Sequence, residues 1–300
     1  MHAAEDAPLP PPVVYDFAPV ARELLVCDSR AALLNGGKGA DIRKALDREI
    51  EKAAPRVLSF DVFDTFLLRN NKPETARYLE LSARIAERLA GAVPKPPADI
   101  DLLLARLQGM AFSYRTRKAV DGCREGHIEQ VVRYARAALN LPRETEDTFL
   151  AAELDYETAN LTVNPILAAV ASAFRARGGK VILVSDMYLG AKEINLILTR
   201  LSNGVNNWYD KIYSSADHVL SKRSGKIFPF IEKDLSVPGK EFLHIGDAWE
   251  GDIVRPREAG WNALHFPIST RETGARESAL RVFVGDLKTR GHDLTQWARV

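Results

Sequence analysis

Four short apolar stretches punctuate this chain, and each gives way to polar residues. Val57 to Phe60 stops at Asp61, and Val181 to Val184 stops at Ser185-Asp186. Ile212-Tyr213 runs into Ser214-Ser215, and Phe242 to Gly246 stops at Asp247. Short apolar runs bounded by turn residues predict strands buried on both faces, as in parallel sheets. The spacing predicts strands over 56–61, 180–185, 211–215, 241–246 and 262–266. Residues 194–201, 226–235 and 253–259 carry apolar positions at helical spacing. This alternation predicts a parallel sheet with helices on both faces.

The period changes after the first strand. Residues 74–89, 100–119, 128–139 and 143–160 read as helices, split by Gly91 to Pro97, Asp121-Gly122 and Leu141-Pro142. Four helices in series predict a bundle-like insert. The expected organisation is a Rossmann-like α/β core, 56–70 and 161–268, with an all-helical insertion at 71–160. An N-terminal extension, 1–55, is expected to be partly disordered around Pro8 and Pro10 to Pro12, with one amphipathic helix over 40–54. Asn35-Gly36-Gly37-Lys38-Gly39 reads as a loop. No strand precedes its glycines and no Lys-Ser/Thr follows, as a phosphate-cradling loop would require. The tail, 269–300, is polar with one helix near 278–287.

Composition removes several function classes. Lys and Arg number 41 against 40 Asp and Glu, a net charge of +1. That gives no electrostatic case for nucleic acid or an anionic membrane. No apolar run reaches the length of a membrane span. Met1 to Pro12 lacks the basic start and apolar stretch of a secretory signal. Cys27 and Cys123 have no metal-like spacing and read as reduced thiols. The expected location is the cytoplasm.

In a parallel sheet the carboxyl ends of the strands converge on one edge. Asp61, Ser185, Asp186, Asp247 and Asp252 are expected there, with Lys222 from the loop after the 211–215 strand. Carboxylates, a hydroxyl and an ammonium together suit phosphate chemistry. An Asp can attack phosphorus and form an acyl phosphate. Acidic side chains hold Mg²⁺, and the metal and a lysine offset the charge of nucleophile and phosphate. Each residue taken singly has a plainer reading: a cap or turn for Asp61 and Asp247, a loop start for Ser185, a solvated charge for Lys222. Lys226 competes with Lys222 for its role.

The order of these motifs resembles the haloacid dehalogenase (HAD) superfamily of hydrolases, over residues 56 to about 266. Ser59-Phe60-Asp61-Val62-Phe63-Asp64-Thr65 is similar to the first motif of that family, whose first Asp is the nucleophile. Val181 to Ser185 resembles the second, Lys222-Arg223-Ser224-Gly225-Lys226-Ile227-Phe228 the third, and His244-Ile245-Gly246-Asp247 with Asp252 the fourth. The resemblance implies Asp61 as nucleophile, and Ser185 and Lys222 as phosphate-holding groups. It implies Mg²⁺ on Asp61, the Phe63 carbonyl, Asp247 and Asp252, and a helical cap over the site. The expected activity is a Mg²⁺-dependent phosphohydrolase acting on a small phosphorylated metabolite such as a sugar phosphate. The wording at 59–65, with Ser185-Asp186-Met187-Tyr188-Leu189, resembles a bacterial subgroup found alongside glycosyltransferases in surface-polysaccharide settings.

One departure stands out. The family's second acid, which protonates the leaving oxygen, should stand two residues after the nucleophile, and here that residue is Phe63. Asp64 either swings in as acid/base or bonds groups of its own turn. Two alternatives therefore stay open: a non-catalytic ligand- or partner-binding relative, and a dehalogenase- or phosphonatase-like reaction at carbon. The latter would call on a cap-side lysine, Lys72 or Lys118. The retained Asp247 and Asp252 favour phosphoryl chemistry with metal. Arg69, Asp186 and the run Tyr114-Arg115-Thr116-Arg117-Lys118 are candidates to face substrate. A solvated helix face is the plainer reading of the run. His127 and Glu157 read equally well as structural, and Trp249 either lines the mouth of the site or packs.

Overall fold

The computed structural model describes residues 17–202 and 208–297. The proline-rich start expected to be disordered lies outside the described residues. The chain then forms three helices where one was expected: α1 (Ala18–Val26), α2 (Arg30–Asn35) and α3 (Gly37–Ala53). Helix α3 starts inside the glycine stretch read as a loop. Its tight junction with α2 depends on Gly39, where a Cβ would stand 2.3 Å from the Leu34 carbonyl oxygen.

Strands β1 (Val57–Asp61) and β2 (Leu67–Arg69) lead into helices α4 (Glu74–Leu89), α5 (Asp99–Thr116), α6 (Ile128–Ala138) and α7 (Glu146–Asn160). Helix α5 packs on α4 and α6, and α7 packs on α4 and α6. The chain returns through β3 (Leu161–Val163), antiparallel to β2. Neither β2 nor β3 was expected, because three residues show no period. Helix α8 (Pro165–Ala176) was also missed. Its start is marked by Asn164, whose side chain accepts from the amides of Ile166 and Leu167, followed by a proline in the first turn. Its alanine-rich run blurs the apolar stripe.

The rest alternates: β4 (Lys180–Ser185), α9 (Ala191–Leu201), β5 (Lys211–Ser214), α10 (Ser215–His218), α11 (Ile227–Leu235), β6 (Phe242–Gly246), α12 (Arg255–Glu258) and β7 (Asn262–His265). Helix α13 (Thr270–Thr289) closes the fold and is longer than the sequence suggested. The main sheet has the order β5-β4-β1-β6-β7, parallel throughout. Strand β1 is central and buried along its length. Leu58, Phe60, Val181, Leu183, Leu243 and Ile245 lie in one core cluster, each large side chain contributing about 1.5–3 kcal/mol by leaving water. The expected Rossmann-like α/β architecture is therefore present. Among the described residues, no helix is long and apolar enough to cross a membrane.

Candidate active site

The site follows from strand order. β1 lies between β4 and β6, so Asp61 at its carboxyl end is flanked by Ser185 and by Asp247. After Asp61 the chain turns sharply. Phe66 N–H donates to the Asp61 carbonyl (3.2 Å) and Leu67 N–H to the Val62 carbonyl (2.7 Å). Lys222 Nζ donates to Asp61 Oδ1 and to Asp252 Oδ1, both at 2.5 Å. Thr65 Oγ1 donates to Asp247 Oδ1 at 3.1 Å. Asp61, Asp247 and Asp252 each bring a carboxylate oxygen within 4.8 Å of the others. Gly246 makes room for this: a Cβ there would lie 2.3 Å from Asp252 Cγ.

Electrostatically, two buried carboxylates and the partly buried Asp247 share one ammonium. Burial pushes the Asp61 carboxyl up to about 7, with Lys222 pulling it down and Asp252 adding repulsion. Burial raises Asp247 too, helped by the charges of Asp61 and Asp252. For Asp252 burial is outweighed by Lys222 and by the His244 hydrogen bond, so it lies below the usual range. Burial opposes the charge on Lys222, but Asp252 and Asp61 hold it firmly protonated. Asp61 Oδ2 is buried without a hydrogen-bond partner.

Ser59 and His244 were not foreseen as part of this site. They are register partners on β1 and β6. Ser59 Oγ and His244 Nδ1 are 2.7 Å apart, and His244 Nε2 is 3.1 Å from Asp252 Oδ1. Burial lowers the His244 pKa, so a neutral ring bridges serine and carboxylate, with Nε2–H donating to Asp252. A serine and a histidine inside two apolar strands were the available signal.

Several sequence-based assignments change. Asp64 does not face the site. Its carboxylate takes Arg276 Nη2 and Nη1 (2.6 and 3.1 Å) and the more distant Arg30 Nη2 (3.4 Å). Burial opposes this charge, but Arg276, Arg69 and Arg30 hold the carboxyl below the usual range. It is therefore an ionised ion-pair member, and its side chain bonds distant arginines rather than its own turn. Arg69 is not turned to a ligand: its guanidinium pairs with buried Glu157 (2.9 Å) and lies 4.3 Å over the Phe63 ring. Both oxygens of Asp186 accept main-chain N–H groups, from Lys222 (2.7 Å) and Arg223 (3.0 Å), so it fixes the lysine loop rather than a phosphate. Lys226 donates to the Asp121 carbonyl, whereas Lys222 is the lysine that bonds Asp61. His127 caps α6, and Trp249 is 59% exposed, edge-on to His265.

A cavity of about 520 Å³ opens between α4, α5 and the loops holding Asp186 and Arg223. Tyr78, Tyr114, Arg115, Glu125 and Trp297 complete its wall. From the 114–118 run, Tyr114 and Arg115 thus reach the cavity, while Arg117 donates to the Ala216 carbonyl.

Residues 55–260, more than half of the chain, match the family model described as haloacid dehalogenase-like hydrolase. A 2-haloacid dehalogenase from Pseudomonas syringae pv. Tomato DC3000 aligns at 15% identity over 70% of this chain and 85% of its own, with a TM-score of 0.44. A HAD-family enzyme from Bacteroides thetaiotaomicron, in complex with magnesium and inorganic phosphate, aligns at 13% identity over 71% and 94%, also at 0.44. A predicted phosphoglycolate phosphatase from Haemophilus somnus 129PT aligns at 16% identity over 71% and 87%, at 0.40. Among curated proteins, none matches the chain.

Proposed function

The chain belongs to the haloacid dehalogenase-like hydrolases, and we infer that it is a Mg²⁺-dependent phosphohydrolase of a small phosphorylated metabolite, such as a sugar phosphate. The observation that carries this reading is Asp61 Oδ2, a buried carboxylate oxygen without a partner, at the end of the central strand beside Lys222. A free oxygen there is what a nucleophile or a metal ligand needs.

The residues fit a divalent cation. Three carboxylates against one ammonium leave an excess of buried negative charge, and their oxygens lie within one ion's reach. All are hard oxygen donors, as Mg²⁺ requires. Asp61, Asp247 and the Phe63 carbonyl would hold the ion, with Asp252 completing the set. Asp252 would do so least directly, since Lys222, His244 and the Ala248 amide already engage its oxygens. When bound, the ion would offset the charge of nucleophile and phosphate.

In the reaction, an Asp61 oxygen bonds to phosphorus as the bond to the leaving oxygen breaks. The leaving oxygen takes a proton from solvent. Lys222 and Ser185 hold the phosphoryl oxygens. Water then bonds to phosphorus, the bond to Asp61 breaks, and inorganic phosphate leaves while the water's proton passes to solvent. With Phe63 at the acid's position and Asp64 committed to arginines, no side chain of this turn supplies the proton. This favours leaving groups that need little protonation, such as those of a sugar 1-phosphate or an acyl phosphate. The alternatives at carbon are less supported. Lys72 is a surface residue paired with Glu80, and Lys118 is exposed, so neither is the desolvated amine a Schiff base needs. The intact Asp61–Lys222 contact argues against a purely binding role.

The test is a phosphate-release screen over phosphorylated metabolites, with Mg²⁺ and with EDTA. Anomeric and acyl phosphates are expected to turn over, alkyl phosphates to lag, and EDTA to stop both. Turnover that survives Asp61→Asn or EDTA overturns the reading.

A further inference from the structure

Two segments outside the family match converge on the turn that follows Asp61. Arg30, on α2, is 1% exposed despite its charge. Its main-chain N–H and its Nε donate to the two oxygens of Glu272 on α13, at 2.8 and 2.7 Å. Its Nη1 donates to the Asp64 carbonyl oxygen at 2.5 Å. Arg276, one helical turn beyond Glu272, forks onto both oxygens of the Asp64 carboxylate. Two guanidiniums and two carboxylates thus form a buried, charge-balanced cluster. Asp64 is its one member from the turn that carries Asp61.

The gripped residue is conformationally special. Asp64 has φ +64°, a left-handed backbone that L residues other than Asn and Asp seldom adopt. Here the carbonyl and the carboxylate of that residue are both held from outside the turn. What Asp64 does is passed on directly. The next residue, Thr65, donates to Asp247 (3.1 Å), and its carbonyl accepts from Asn164 Nδ2 (3.1 Å). Three residues before Asp64 is Asp61 itself. A planar guanidinium fork fixes direction as well as distance, which an ammonium cannot do.

We propose that Arg30 and Arg276 are positioning residues of this active site, gripping Asp64 so that the turn aims Asp61 and Thr65. The helices on either side of the hydrolase core are thereby part of its catalytic apparatus. Asp64 serves as their handle, in place of acting as an acid. The kinetic part of this inference rests on the phosphohydrolase reading, and the grip itself does not.

The test uses the full chain with Arg276→Ala, Arg276→Lys, Asp64→Asn and the double variant Arg276→Ala/Asp64→Asn. Misplacing reacting groups by a fraction of their contact distance costs on the order of ten- to a hundredfold in rate. Arg276→Ala and Asp64→Asn are each expected to lower kcat by about tenfold or more, with KM within about threefold of wild type. The double variant should match the worse single, because both remove one grip. Arg276→Lys should recover part of the loss. Amide hydrogen exchange at residues 62–66 should quicken in Arg276→Ala while residues 181–184 keep their protection. A kcat within twofold of wild type, a loss confined to KM, or multiplying losses in the double variant overturns the proposal. Should Arg276→Ala not fold, Asp64→Gly carries the same test, since glycine accepts φ +64° while releasing Arg276 and leaving Arg30 only the main-chain carbonyl. If the wild-type chain releases no phosphate from any substrate, the phosphohydrolase reading fails. Exchange at 62–66 then still decides the grip, and unchanged exchange there overturns it.

Discussion

At the carboxyl ends of the strands three carboxylates share one ammonium, whereas between α5, α7 and the loop after β4 two arginines face two glutamates. In the second region Arg106 pairs with Glu153 (2.6 Å) and Arg69 with Glu157 (2.9 Å). Tyr188 donates to Glu153 (2.8 Å), and the Tyr78 ring lies 4.4 Å beneath Arg106. Both regions are buried and both are ionic. In the helical network the charges cancel within the protein, so the network ties α5 and α7 to the sheet through Tyr188. In the strand-end cluster they do not cancel, because three carboxylates face one ammonium. An unbalanced buried cluster is stable only at a cost, which a bound cation can recover.

Four changes would break or sharpen this contrast. The largest is Asp61→Asn, expected to lower kcat by at least about a thousandfold. Its fold should survive, as read by circular dichroism and melting. Next, Glu153→Ala should destabilise the protein by about 3–5 kcal/mol, because it strands Arg106 as a buried unpaired cation. Denaturant unfolding measures this, and a loss below about 1 kcal/mol would mean that the network is not holding the helices.

Asp247→Asn should act in the opposite direction. In metal-free protein it removes like-charge repulsion and should stabilise by about 0.5–2 kcal/mol. Mg²⁺ is expected to raise the melting temperature of wild type but not of this variant. An Asp247→Asn protein that melts lower without metal would contradict the charge-excess picture.

The smallest effect concerns pH. Burial raises the Glu153 carboxyl above its ordinary 4.5, with Arg106 pulling the other way. Between that value and the folded one, the unfolded chain has lost a proton that the folded chain keeps. Stability therefore falls as pH rises through this window and levels off above it. Glu153→Gln should remove that slope, seen as the difference between wild-type and variant unfolding free energies across pH. A difference that stays flat with pH would remove Glu153 from the titrating groups.

Asp61, Asp247, Asp252 and Lys222 were legible in the sequence because each belongs to a local signal. An apolar strand ending in a carboxylate marks an edge of the sheet without knowledge of distant partners. Lys226, four positions on, remained a competitor of Lys222 in the sequence, since both fit the pattern. The loop's path sends Lys226 to Asp121 and Lys222 to Asp61. The Ser59–His244 contact needed the register of β1 against β6. Arg69 looked free in sequence and was claimed by Glu157, 88 residues away.

The fate of Asp64 marks the boundary between the two kinds of information. Periodicity, turn residues and strand-end acids are local, and by themselves they determined the α/β architecture and the acids that gather at its edge. Arg276, 212 residues beyond Asp64, carries no local mark of its target. Which way Asp64 points was decided by two helices from opposite ends of the chain closing on one turn. A guanidinium finds its carboxylate through packing, which the order of residues does not express.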